Sequence, residues 1–191
     1  MRIRNLSISV ALLAVTLLAT AAAAADGPFT RGAFDFTPSL SLNRTSFTRE
    51  GSTTAASVTQ ATLGLSAARC MTERFELGAG LLMIHRPIGD RSRNAFGASA
   101  NAIFNLPAHE NVIPFLSGGV GVTTYSADGT TDKAMLLPML RVGFRTLMGS
   151  GRTLNASIGY SHEMNPNSPV ERSADLFDVG VGISVFKTLG K

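Results

Sequence analysis

The stretch "LFDVGVGISVF" (176–186) alternates from its first residue to its last. Phe177, Val179, Val181, Ile183 and Val185 share one parity. Leu176, Asp178, Gly180, Gly182, Ser184 and Phe186 share the other. A period of two is the signature of a β-strand with two unlike faces. One face is branched and apolar, and the other is mostly small or polar. Which face meets the surroundings, and whether those surroundings are water or lipid, decides the class of protein.

Seven further segments show the same alternation, separated by turn residues. Phe34, Phe36, Leu40 and Leu42 oppose Asp35, Thr37, Ser39, Ser41 and Asn43. Ala61, Leu63, Leu65 and Ala67 oppose Gln60, Thr62, Gly64 and Ser66. Phe75, Leu77, Ala79, Leu81 and Met83 oppose Glu76, Gly78 and Gly80. Phe96, Ala98, Ala100, Ala102 and Phe104 oppose Gly97, Ser99 and Asn101. Within 115–125, Leu116, Val120 and Val122 oppose Ser117, Gly119, Gly121 and Thr123. Leu136, Leu140, Val142, Phe144 and Met148 oppose Arg141, Gly143 and Arg145. Leu154, Ala156, Ile158 and Tyr160 oppose Asn155, Ser157, Gly159, Ser161 and Glu163. Each segment has about the length of a transmembrane β-strand, ~9–11 residues. Pro38 and Pro138 interrupt two of the patterns and are expected to mark a bulge or a strand shift, since proline has no N–H for the ladder.

The connections alternate in length. Those at 70–73, 107–111 and 149–152 are short, while 47–57, 86–93, 126–132 and 165–173 are longer and rich in small, polar and charged residues. Short turns on one rim and long loops on the other are expected of an up-and-down barrel inserted from one side. "GAG" (78–80) and "GVG" (180–182) sit inside strand patterns, so they do not read as phosphate loops.

The chain opens with Arg2 and Arg4, an apolar run from Leu6 to Leu18, and the alanine tract 21–25 before Asp26. Residues 1–25 therefore read as a cleaved secretory signal peptide and 26–191 as one barrel domain. Loss of the two leader arginines lowers the formal net charge of +4, so the mature chain is only mildly basic. No Lys/Arg run with interleaved aromatics points to nucleic acid. Cys70 is the only cysteine, which rules out an internal disulfide and reads as a small packed residue near a turn.

Composition bears on the question of water or lipid. Charged residues make up 16% of the chain, against ~25% in soluble domains. The polar parity is Gly, Ser, Thr and Asn, which makes a poor soluble surface and fits a crowded lumen. The apolar parity would then face lipid. The fold class expected is all-β, an eight-stranded antiparallel up-and-down transmembrane barrel. A soluble periplasmic lipocalin-like barrel, with the apolar parity turned inward, stays as an alternative.

With its signal peptide, eight alternating segments and "PFLSGGVGV" (114–122), the sequence resembles the small eight-stranded outer-membrane β-barrel proteins, the group around the OmpA transmembrane domain and its opacity-type relatives. In the last strand Asp178, Gly180, Ile183 and Val185 match a polar-x-Gly-x-x-Φ-x-Φ pattern similar to an insertion signal. The resemblance implies a Gram-negative outer-membrane protein with a periplasmic N-terminus, handled by the barrel-assembly machinery. Departures are the tail "KTLGK" after Phe186, the absence of Trp and the scarcity of Tyr, so an aromatic girdle would rest on Phe.

A charge inside a barrel must be paired. Asp35, Glu76 and Arg145 fall toward the N-terminal rim, and Arg141, Glu163 and Asp178 at the middle or above. Arg145 is expected to pair with Asp35 or Glu76, and Arg141 with Asp178 or Glu163. The pairs either hold the barrel closed or gate a narrow channel for small solutes. The long loops carry Arg86, Arg91 and Arg93 in "HRPIGDRSR", which form either a solvated rim or a contact for lipopolysaccharide phosphates. Loops 47–57, 86–93, 126–132 and 165–173 are candidate contacts for an extracellular partner.

A lipid-modifying enzyme would need a Ser–His–carboxylate set. Ser161, His162 and Glu163 are adjacent, so Ser161 and Glu163 point away from His162. The lipid A deacylase family places Ser two residues after its catalytic His, a position that is Met164 here. No catalytic residue, metal-ligand spacing or cofactor motif is assigned. The expected role is non-catalytic: envelope integrity and contact with outer-membrane lipid, lipopolysaccharide or a surface partner.

Overall fold

The structure, a computed structural model, describes residues 29–47, 56–88, 91–127, 130–131, 134–149, 151–164 and 173–188. The leader read at 1–25 and most of each long connection lie outside them. In chain order the strands are β1 (Phe34–Phe47), β2 (Ala56–Cys70), β3 (Phe75–Ile88), β4 (Arg91–Asn105), β5 (Val112–Ala127), the two-residue β6 (Thr130–Thr131), β7 (Met135–Leu147), β8 (Arg152–Met164) and β9 (Ser173–Lys187). β6 folds back on the end of β5. The eight long strands pair antiparallel with their chain neighbours, and β1 pairs with β9, so the sheet closes on itself. Closure pairs each of the eight long strands on both sides, so none of them is an edge strand.

The alternation read from the sequence is the alternation of the wall. On β9, Phe177, Val179 and Val181 are 61%, 64% and 52% exposed, while Asp178 is 7% and Ser184 0%. The apolar parity therefore points outward, which excludes the lipocalin-like arrangement. Leu42, Leu81, Phe96, Leu140 and Ile158 continue the same exposed surface around the barrel. From Phe34 to Arg44, at ~3.3 Å per residue and a tilt of ~40°, this surface rises ~25 Å, the height of an outer-membrane apolar band. A charge at mid-height meets hydrocarbon. We expect Val181→Arg to cost ~2–4 kcal/mol, read as a lowered urea midpoint in liposomes; an unchanged midpoint would mean that this face is wet.

The eight long strands run from 13 residues (β7 and β8) to 16 (β5), longer than the span a membrane requires. The excess lies in what the sequence reading took for loops. The segment 86–93 is mostly ladder: Arg86 pairs with Arg93, Pro87 with Ser92 and Ile88 with Arg91. The two prolines also behave differently from the expectation. Ladder pairing between β1 and β9 lapses at Thr37 and Pro38, yet Phe36↔Val185 and Ser39↔Gly182 keep one register. Between β7 and β8 it lapses at Leu137 and Pro138, with Leu136↔Met164 and Met139↔Ser161 again in one register. Each proline keeps its place opposite the other neighbour, at Pro38↔Leu65 and Pro138↔Val120. A missing N–H costs ladder bonds here, without a bulge or a shift.

Short turns gather at one rim. At 148–151 Gly149 takes a φ of 79°, a left-handed backbone that glycine adopts without a Cβ penalty. The segment just ahead of β1 crosses this same rim: Gly32 N–H donates to Cys70 O at 2.7 Å and Cys70 N–H to Ala33 O at 2.8 Å. Phe29 packs on Phe186, ring centroids 5.0 Å apart, and Cys70 is buried beside Ala33 and Phe186.

Candidate functional site

The inward parity builds a polar column in three levels. At the short-turn end Arg145, from β7, reaches across the lumen. Its Nη2 lies 3.2 Å from Asp35 Oδ2 on β1, and its Nη1 2.9 Å from Glu76 Oε1 on β3. All three side chains are buried. Asn105 Nδ2 donates to the same Glu76 oxygen at 2.5 Å. The Thr37 hydroxyl donates to Asp35 Oδ1 at 2.7 Å and the Ser184 hydroxyl to Oδ2 at 3.2 Å. The rings of Phe29, Phe115 and Phe186 stand 5.4, 5.4 and 5.6 Å from the guanidinium carbon. A weakly hydrated, planar cation suits both kinds of neighbour: its edge meets carboxylates and its faces meet rings.

Halfway up, Arg141 Nη2 donates to Asp178 Oδ1 at 3.0 Å. The pair straddles Gly159. A Cβ there would contact Asp178 Oδ2 and stand 3.1 Å from Arg141 Nε, so the bridge needs the bare backbone on β8. The Arg141 side chain is 38% exposed while that of Asp178 is buried. Small inward residues such as Ser99, Ser117 and Ser157 leave room around it.

The long-loop end corrects the sequence reading. Glu163 does not meet Arg141. It pairs with Arg86, Nη2 to Oε2 at 3.1 Å. Arg86 is therefore not a loop arginine poised for lipopolysaccharide. It lies on the inward parity of β3, 6% exposed. Its Nε donates to Gln60 Oε1 at 2.6 Å, and the Tyr125 ring lies 4.6 Å from its guanidinium carbon. The physical reason is length: β3 continues to Ile88, which carries Arg86 into the lumen. Arg93, its ladder partner, is exposed at the rim. The side chain of Arg91 lies outside the described residues.

Sequence reasoning missed Gln60, Asn105 and Tyr125 as partners. Each stands on the inward parity at the end of its alternating segment, Gln60 and Tyr125 as a terminal residue within it and Asn105 one residue beyond. It also missed Asp175. Ser161 and Glu163 are buried in the lumen, as adjacency on a strand requires, and His162 faces outward. There its Nδ1 lies 2.8 Å from Asp175 Oδ1, which also accepts from the Tyr160 hydroxyl at 2.7 Å. Among the described residues no Ser, Thr or Cys hydroxyl or thiol hydrogen-bonds His162, and no group of His, Cys, Asp and Glu is arranged to hold a metal. In the final strand Asp178 and Gly180 face inward, and Ile183 and Val185 take the outward parity.

A closed eight-stranded barrel with a polar lumen and an apolar girdle has the fold of the small outer-membrane β-barrels. Solved structures agree. The chain is similar to the Neisserial surface protein A, at 14% identity over 81% of this chain and 99% of that one, with a TM-score of 0.65. It is similar to the outer membrane enzyme PagL, at 13% identity over 78% and 97%, with a TM-score of 0.55. It is also similar to the outer membrane protein OprG from Pseudomonas aeruginosa, at 12% identity over 85% and 99%, with a TM-score of 0.52. At such identities the likeness is one of fold. No protein-family model and no curated protein matches the sequence.

Proposed function

We propose that the chain is a closed, non-catalytic barrel of a Gram-negative outer membrane, with its N-terminus in the periplasm. Its role is envelope integrity together with contact to lipopolysaccharide or an extracellular partner at the long-loop rim, through 47–57, 91–93, 126–132 and 165–173. The observation that carries the reading is the lumen. Buried ion pairs cross it near both ends, Arg145 with Asp35 and Glu76, and Arg86 with Glu163. Eight strands give an interior just wide enough for side chains to fill, so these pairs act as two plugs in series. Orientation is supported by the gathering of short turns at the rim where the described chain starts and ends. Asp178, Gly180, Ile183 and Val185 would address the strand to the barrel-assembly machinery.

The test is gel mobility in SDS of membrane-extracted protein, with and without boiling, followed by planar-bilayer recording. A boiling-dependent shift with no steady conductance is expected. Recovery in the soluble periplasmic fraction without a shift would overturn the reading. A channel would require Arg141→Ala to conduct better than the wild type, and we expect equal, negligible currents. Unchanged mass of lipid A from cells expressing the protein is the expected counterpart for catalysis.

A further inference from the structure

The outer wall over β7, β8, β9 and β1 is graded in a way the rest of the girdle is not. Its positions fall into rows fixed by register. One row runs Leu42, Val179, Ile158, Val142 and is wholly apolar. The next, toward the long loops, runs Arg44, Phe177, Tyr160, Leu140. Above it lies the cross-strand pair Asp175 and His162. Between the side chains of these rows is a groove of about 600 Å³, its floor and sides formed by Leu42, Leu140, Val142, Ile158, Phe177 and Val179. Arg44 stands at its head, exposed on the same outward face.

Polar groups at the head are spaced for a broad ligand. Arg44 and Tyr160 are separated by β9, two strand spacings or ~10 Å. Tyr160 and His162 both bond to Oδ1 of Asp175, and among the described residues Oδ2 of that carboxylate takes no hydrogen bond. The two bonds hold the carboxylate and the imidazole in fixed positions, leaving Oδ2 and His162 Nε2 as open hydrogen-bonding atoms. On the opposite wall the same level carries His85, its Nδ1 2.9 Å from Asn94 Oδ1, and no arginine among the described outward positions. Among the described residues this wall combines a cation, an oriented carboxylate–imidazole pair and an apolar groove, and the opposite wall does not.

We propose that this wall binds a phosphorylated, multiply acylated sugar lipid, the chemistry of the lipid A anchor. Arg44 takes a phosphate by charge-assisted hydrogen bonds. Asp175 and His162 take sugar hydroxyl or amide groups. Acyl chains lie in the groove, each buried CH₂ contributing as in any transfer out of water. The proposal rests on the reading that the long-loop rim lies in the outer leaflet. A zwitterionic glycerophospholipid offers one phosphate and no sugar, so it fits the head less well.

Native mass spectrometry of the detergent-solubilised full-length protein, with purified lipid A or phosphatidylethanolamine added, tests this. One lipid A retained per barrel, preferred over phosphatidylethanolamine, is the expected result. Arg44→Ala should weaken retention at least ~10-fold, the loss of one hydrogen-bonded charge. Asp175→Asn should weaken it less, and Arg69→Ala, at the opposite rim, should not change it. Equal binding of the two lipids, or an Arg44→Ala variant that retains lipid A like the wild type, would overturn the site. The unboiled gel mobility of each sample separates this from failure of the parent reading. A barrel that shifts on boiling yet shows no lipid A preference rejects the site alone, and one that does not shift rejects both.

Discussion

Arg145→Met is expected to destabilise the barrel by ~3–5 kcal/mol. The substitution keeps the hydrocarbon that packs among Phe29, Phe115 and Phe186. It removes the cation that, among the described residues, compensates Asp35 and Glu76 at this level, and both carboxylates are buried. Breaking a buried pair leaves an uncompensated charge, whereas removing the whole set need not. Arg145→Met combined with Asp35→Asn and Glu76→Gln should therefore regain much of what the single change loses. Arg145→Lys should recover only part of the stability, because an ammonium is a compact, strongly hydrated point charge without the planar fork that spans two carboxylates and lays its faces against three rings. Urea midpoints of the refolded proteins in liposomes read all three. A single Arg145→Met variant with the wild-type midpoint would show that the cluster adds nothing to stability.

The closed barrel was legible because a period of two is a long-range signal. It repeats over eight segments, and the composition of the inward parity separates lipid from water outside. The level of Arg145, Asp35 and Glu76 was legible for a related reason: Arg145 and Glu76 lie within a few residues of a short turn, which fixes depth, and Asp35 stands at the start of the first strand on the same rim. The long-loop end was not. Strand length there is set by pairing across β3 and β4, since Arg86↔Arg93 and Ile88↔Arg91 are ladder pairs in a segment whose charged residues break the apolar alternation that would announce them. "HRPIGDRSR" looks like a loop because its composition is that of a loop. Its backbone nonetheless continues the sheet, and this moves Arg86 from the rim into the lumen. Asp175 was hidden for a related reason. It lies thirteen residues from His162 in sequence, and only the register of β8 on β9 places the two side by side. Cross-strand partners of this kind are invisible to any reading confined to one strand.

The second large effect belongs to that long-loop end. Arg86→Met should cost ~3–5 kcal/mol, because Glu163 is 2% exposed and Arg86 is its cation at 3.1 Å. Glu163→Gln should cost less. Arg86 would still donate to Gln60 at 2.6 Å and lie against the Tyr125 ring at 4.6 Å, and a neutral amide can still accept from its guanidinium. The double variant should be more stable than Arg86→Met alone, a sign reversal that only coupled charges produce. Combining Arg86→Met with Arg145→Met tests the independence of the two plugs. They lie at opposite ends of the lumen, one bonded to Gln60 and Glu163 and the other to Asp35 and Glu76, so their costs should add within ~0.5 kcal/mol. Strong non-additivity would mean that the wall transmits strain from one plug to the other and that the lumen behaves as a single network. Additivity would mean two separate locks, and a barrel of this kind opens to ions only when both are removed. The same pair of variants recorded in planar bilayers should then show conductance in the double variant and in neither single one.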